Sequence, residues 1–405
     1  MSRRVVVLLV DALGFELAQR ASRVLAALPH RRRLDTILGF SSGALPTLFT
    51  GCPPAVHGRW LMYRRAGAGA LDGGAPSPFA GFGALRHLPE RLQRSWKLGR
   101  LLDRVVAWRG VRGYFRLYEV PRGLLPEFDL AERADIFEPG GLPVDSLWDA
   151  LERAHVRWHG WNWRTPEADA LRALAERLDT GDEEFLFCYT AELDADLHRE
   201  GSFGAGVHRR LDAYAGWLRG LEEIAARRGH DLWVYLLSDH GMVDVHGTLD
   251  VMGALAGLTV TWPRDYLAFF DSTMARFWWR DPAARPVVRA ALEGLRGGRW
   301  IDDDALEAAG ARFAGREYGE DIYLLDPGML MVPSFMGSGP VAAMHGYDPG
   351  HPDMAAVLMS NRPIPESVRG LTDVRAFLES ELAAGRSTEV GALSPAAPGS
   401  GPEAA

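Results

Sequence analysis

A chain of 405 residues with 47% apolar residues is long for one ordinary domain and rich enough for a large buried core with insertions. A formal net charge of −8 argues against a nucleic-acid scaffold, because binding a polyphosphate backbone needs a basic surface, so no stable nucleic-acid partner is expected. The two cysteines, Cys52 and Cys188, lie far apart with no metal-pair spacing, so a disulfide framework is not indicated.

The first element is a β-branched run at 5–10, bounded by polar residues, which reads as a strand buried on both faces. It imitates a signal peptide briefly, but it ends at Asp11 with no small-residue cleavage site behind it. No later stretch approaches the roughly 20 apolar residues of a membrane span, so a cytoplasmic protein is expected. Helical spacing follows over about 14–28. Residues 62–143 are rich in Arg, Gly and Pro, with a helix expected near 88–108, and read as an irregular insert. Further apolar runs at 184–189 and 232–237 flank a long helical stretch, about 207–228. Strands alternating with helices predict an α/β fold, a mostly parallel central sheet with helices on both faces.

Residues 251–340 form a pattern of their own. Strands are expected at 275–279, 299–301 and 321–325, with helices at 283–295 and 304–309, which predicts a small α+β cap lobe separate from the main sheet. The chain returns to the core at 354–359 and ends with a helix over about 366–384. The core is thus expected to run from 1 to 385. The Gly/Pro/Ala/Ser-rich tail, 386–405, is expected to be disordered.

Chemistry gathers at the strand ends. Asp11 follows the first strand, Asp194 follows the 184–189 run with His198 four residues on, and Asp239-His240 follows the 232–237 run. In open parallel sheets, ligand sites lie at the carboxyl ends of strands. Carboxylates crowded there repel one another, and a bound dication is the usual remedy. Mixed imidazole and carboxylate donors suit zinc, with manganese or iron as runners-up, whereas calcium and magnesium prefer oxygen shells. Each piece alone also reads as a turn or helix cap; the joint pattern on different strands is what points to metal. Ser41 and Ser42 open a short helical stretch closing with Thr50-Gly51. Serine there is an ordinary N-cap, or a nucleophile facing the positive helix end and its open N–H groups.

The series Asp11, Ser41 nine residues before Thr50-Gly51, Pro54, His57-Gly58, Asp194-x-x-x-His198, Asp239-His240-Gly241 and His345-Gly346 resembles the alkaline phosphatase superfamily. It is nearest the type I phosphodiesterase/nucleotide pyrophosphatase branch. The resemblance covers about 4–361 apart from the inserts. It implies a hydrolase of small phosphate esters that uses two divalent ions, Zn2+ or alternatively Mn2+. Asp194, His198 and His345 would hold one ion, and Asp11, Asp239 and His240 the other. Ser41 would lie at both ions and form a phosphoseryl intermediate. His345 enters only through this resemblance. His57 matches a structural position; His351 and Asp196 are the residues most easily mistaken for ligands.

The chain departs from the branch where its diesterases commonly carry Pro and Asn, two and three positions past the nucleophile. Gly43 and Ala44 stand there. A phosphomonoesterase or phosphonate hydrolase therefore remains the alternative, and a sulfatase or a non-catalytic binding protein a lesser one. Trp60, Tyr63, Arg64 and Arg65 read either as a base-stacking and anion-binding segment or as aromatic packing.

Overall fold

In the computed structural model, which describes residues 2–67, 76–93 and 95–391, the first strand, Arg3–Val10, has apolar residues on both sides. Val5, Val7 and Leu9 enter one hydrophobic cluster, and Val6, Leu8 and Val10 a second on the opposite face. Two buried faces require two covering layers. Helices Ser41–Thr50, Leu147–Arg153 and Leu371–Gly391 contribute residues to the first cluster. Helices Phe15–Arg20, Glu167–Thr180, Glu192–Glu200 and Ala205–Arg228 contribute to the second.

The central sheet has six strands in the order His30–Leu34, Ala356–Ser360, Asp231–Leu237, Arg3–Val10, Phe185–Thr190, Trp158–Trp161. Pairing is parallel from Asp231–Leu237 through Trp158–Trp161. Ala356–Ser360 runs against both of its neighbours. The sheet is mostly parallel and covered on both faces, the α/β architecture expected. Two of its strands were not anticipated. His30–Leu34 carries three arginines in five residues, a charged edge that hides strand periodicity. Trp158–Trp161 is four residues long at the opposite edge.

A second, four-stranded antiparallel sheet has the order Tyr266–Phe270, Met274–Trp279, Asp321–Leu325, Gly298–Ile301. None of its strands pairs with the central sheet. Helices Ala284–Glu293 and Asp303–Ala308 complete it. Tyr266–Phe270 is an added strand, all apolar and buried, with no alternation to mark it. The earlier insert contributes helix Trp96–Trp108 and the strand pair Tyr63–Arg65 and Phe128–Leu130.

The two inserts share one apolar core. Tyr63, Phe79, Leu102, Val106 and Phe128 pack in the same cluster as Phe269, Phe277 and Trp278. Arg276, fully buried, crosses the seam: its Nε donates to Asp271 at 2.8 Å and its Nη1 to the Tyr63 carbonyl at 2.7 Å.

The last helix starts at Leu371, later than the spacing suggests, because Pro365 and a turn precede it. The expected tail, 386–405, lies outside the described residues from 392 onward, and 386–391 still belong to that helix. No helix among the described residues is long and apolar enough to cross a membrane.

Candidate metal centre

Parallel pairing brings the carboxyl ends of Arg3–Val10, Phe185–Thr190 and Asp231–Leu237 to one edge of the sheet. Asp11 continues the first of these strands. The second leads into helix Glu192–Glu200, where Asp194 and His198, one turn apart, share a face, with His198 Nε2 3.3 Å from Asp194 Oδ1. The third ends in Asp239 and His240, both buried.

His345 arrives by a different route. The bridge Ala343–Met344 pairs antiparallel with Val243–Asp244, three residues past His240. The same segment accepts a hydrogen bond from His198, whose Nδ1 meets the Ala343 carbonyl at 2.8 Å. His345 thereby stacks on His240, ring centroids 3.9 Å apart, and sets Nε2 3.7 Å from Asp194 Oδ1. Gly346 must follow. Its φ is +87°, and a Cβ would meet the Phe40 ring at 2.5 Å and Thr273 Oγ1 at 2.8 Å.

Two donor groups result, Asp194/His198/His345 and Asp11/Asp239/His240, each with ligand atoms all within 4.8 Å of one another. Two buried carboxylate oxygens, Asp194 Oδ1 and Asp239 Oδ2, have no hydrogen-bond partner among the described residues. Buried acceptors left unmatched are costly, and a cation at these oxygens removes the cost. Electrostatics agree. Burial, then the charges of Asp239 and Asp194, push the Asp11 carboxyl well above the usual carboxylate range. Burial, then the neighbouring His240 and His198 rings, push His345 well below the usual imidazole value. A neutral His345 is the form that coordinates metal. Backbone carbonyls fix two tautomers: Ala343 takes the Nδ1 proton of His198, and Gly241 that of His240 at 3.0 Å. Both Nε2 lone pairs then face the carboxylates. The residues present fit a pair of divalent ions.

Ser41 begins helix Ser41–Thr50, and its Oγ lies 2.9 Å from His240 Nε2 and 3.5 Å from Asp11 Oδ1. Phe40 at the N-cap supplies no side-chain cap; the amides of Gly43 and Ala44 bond its carbonyl, which leaves those of Ser41 and Ser42 open to an anion. Ser42 turns away and donates to the Trp60 carbonyl at 3.1 Å. Tyr189 is a residue the sequence did not single out. Its hydroxyl donates to Asp11 Oδ2, the oxygen other than the one facing Ser41. The signal was its position at the end of the Phe185–Thr190 strand, disguised by an unbroken apolar run.

The other candidates fall outside the centre. His57 is buried, its pKa pushed down to about 3 chiefly by burial, and it bonds Thr47 Oγ1 at 3.0 Å. Asp196 pairs with Arg199 and Arg210. His351 caps a short turn. Trp60 and Tyr63 are buried and Arg64 pairs with Asp129 at 3.0 Å, so aromatic packing, not base stacking, is what that segment does. Arg65 pairs with Glu320.

No protein-family model matches the chain, and no curated protein matches it in sequence. Solved structures do. Murine ectonucleotide pyrophosphatase/phosphodiesterase 5 superposes with a TM-score of 0.65 at 13% identity, covering 94% of this chain and 95% of that one. The chain thus shares the α/β fold of this pyrophosphatase/phosphodiesterase over nearly the whole length of both chains. An inactive variant of the murine protein, in complex with AMP, gives the same score and coverage at 14% identity. The human protein gives 0.64 at 12% identity, again over 94% and 95% of the two chains. Gly43 and Ala44 are both buried, and a Cβ on Gly43 would meet the Trp60 carbonyl at 2.6 Å, so neither position offers a polar side chain to a substrate oxygen.

Proposed function

We propose that the chain is a two-metal hydrolase of small phosphate esters, acting on phosphodiester or nucleotide pyrophosphate bonds with Ser41 as nucleophile. The observation that carries this reading is a serine hydroxyl, at an uncapped helix N-terminus, beside two mixed carboxylate–imidazole groups. The donor set suits Zn2+ first and Mn2+ second. Divalent ions held there supply Lewis-acid stabilisation of the serine alkoxide and the leaving oxygen. Ser41 Oγ gives up its proton and attacks phosphorus in line; the phosphorus–oxygen ester bond breaks, the departing oxygen takes up a proton, and a phosphoseryl group is left. Water then attacks the phosphorus, the Oγ–P bond breaks, the phosphoryl group leaves bonded to the water oxygen, and Ser41 Oγ regains its proton. The open amides of the Ser41–Thr50 helix hold an equatorial oxygen, since phosphoryl transfer depends on positioning and charge. The AMP bound by the structurally similar murine variant supports a nucleotide-type substrate. Ala44, where branch diesterases commonly carry an oxygen-holding side chain, favours a phosphomonoesterase or phosphonate hydrolase as the second reading. In this proposal the core ends near 385 and is interrupted by an irregular, partly helical insert, 62–143, and by an α+β cap lobe, 251–340. The enzyme is cytoplasmic, consistent with cysteines that share no bond.

A panel of aryl phosphate monoesters, diesters and phosphonates, offered to zinc- and manganese-loaded protein, separates the two readings. Ser41→Ala should retain fold and metal content but lose turnover about a thousandfold or more, because the nucleophile's bond to phosphorus forms in the transition state. Ser42→Ala should lose far less. An active Ser41 variant beside an inactive Ser42 variant would reverse the assignment, and two fully active variants would end the covalent mechanism.

A further inference from the structure

The chain's charge is unevenly distributed. Residues 86–116 hold nine Arg and Lys against two carboxylates, in a protein whose net charge is −8. Helix Trp96–Trp108 lies in the middle of this segment. Its inner face, with Leu102 and Val106 buried, packs into the core shared by the two inserts. At 100° per residue, Lys97, Leu101, Arg104 and Trp108 fall on one stripe opposite that face. All four are exposed: Leu101 keeps 56% of its surface and Trp108 85%. Lys97 and Arg104 form no ion pair among the described residues.

We infer that this outer stripe is a docking surface for an anionic lipid bilayer. The stripe alternates cation and apolar side chain along the helix. Trp and Leu can enter the headgroup boundary while Lys and Arg meet the lipid phosphates and carboxylates, their stems lying along the apolar surface. Burying Leu101 and Trp108 there removes apolar surface from water, which contact with a nucleic-acid backbone would not do for an aliphatic side chain. The charge argument is local: a polybasic segment is attracted to an anionic membrane even when the rest of the chain is acidic, since the interaction decays within a Debye length.

The helix is anchored from its inner side. Gly99, on the helix's inner side, rests against the Arg122 guanidinium, whose Nη2 donates to the Tyr118 carbonyl at 2.8 Å. The inference does not depend on the chemistry proposed for the metal groups.

The test is co-sedimentation of the full chain with vesicles of phosphatidylcholine alone and of phosphatidylcholine with phosphatidylserine. Binding is expected to the phosphatidylserine vesicles and to weaken with added salt. Arg104→Gln and Lys97→Gln should each weaken it about fivefold, the effect of one cation near an anionic surface. Trp108→Ala and Leu101→Ala should weaken it at least as much, while circular dichroism and hydrolysis of a soluble aryl ester stay unchanged. Equal partition onto both vesicles, no binding to either, or binding indifferent to all four substitutions would overturn the proposal. So would displacement by a duplex oligonucleotide at equal charge, which would assign the patch to nucleic acid. A concentration-dependent dimer abolished by Trp108→Ala would assign it to a second copy of the chain.

Discussion

At the scale of the residue, the position of one oxygen decides much of what Asp11 can do. Tyr189 donates to Oδ2 and so leaves Oδ1 facing Ser41 and His240. Tyr189 is itself immobilised, its ring packed against Phe137 with centroids 5.4 Å apart. Tyr189→Phe removes the hydroxyl and keeps the ring. The carboxylate is then free to rotate, and the affinity of the Asp11/Asp239/His240 group for zinc should fall about tenfold, the low end for losing an outer partner of a ligand. Calorimetric titration of metal into the apoprotein reads this directly. Unchanged affinity would mean that the strand end alone holds Asp11 in place. The candidate metal ligands were legible to different degrees for physical reasons. Asp11, Asp194 and Asp239 follow buried apolar runs, and that context is visible in one dimension. His345 depends on the Ala343–Met344 bridge with Val243–Asp244, a pairing across a hundred residues that no local pattern announces.

At the scale of the element, helix Ser41–Thr50 is positioned by a glycine rather than by a cap. A Cβ on Gly43 would meet the Trp60 carbonyl at 2.6 Å and the Ile37 side chain at 2.8 Å. The first of these is backbone and cannot rotate away. Gly43→Ala should therefore cost about 1–3 kcal/mol, the range for overpacking, and should shift Ser41 off its contact with His240. Urea denaturation and kcat on the same preparation check both parts; a stable variant with lost kcat would locate the damage in the helix start alone. The same close approach explains why Trp60, Tyr63 and Arg64 were ambiguous in the sequence. Aromatic and basic residues after a nucleophile helix suit a ligand pocket and a packed seam equally, and only burial separates the two. The strands were legible where both faces are apolar and bounded. They were not where an edge is charged, as at His30–Leu34, or where a run lacks alternation, as at Tyr266–Phe270.

At the scale of the whole molecule, a buried carboxyl in the segment 62–143 has a defined effect on stability. Burial pushes the Glu132 carboxyl up to about 8, with the amide of Tyr114 acting against this by donating to it at 2.8 Å. Unfolded, the same carboxyl loses its proton near 4.5. Between those values the folded chain binds more protons than the unfolded chain, so this contribution is fully present below the lower value and is lost as pH rises toward the upper one. The slope is at most about 1.4 kcal/mol per pH unit. Glu132→Gln keeps an acceptor for Tyr114 and removes the titration. Its thermal midpoint should exceed that of the parent near pH 8 and approach it near pH 5. An offset equal at both values would show that Glu132 does not titrate in this window.

The apolar core common to the two inserts bears on how such a molecule can change its substrate range. Tyr63 and Phe128 come from one insert and Phe269 and Trp278 from the other, and each half covers its partner. A graft that replaced one insert with that of another hydrolase would leave the remaining half facing water, and the orphaned Arg276 would keep a buried carboxylate partner but lose the Tyr63 carbonyl it bridges to. Exchange of one whole insert without the other is therefore costly to this scaffold. New specificities are reached by replacing two distant stretches of sequence together, so the signature of a functional shift among molecules of this design would be coupled change in segments that are never adjacent in the chain.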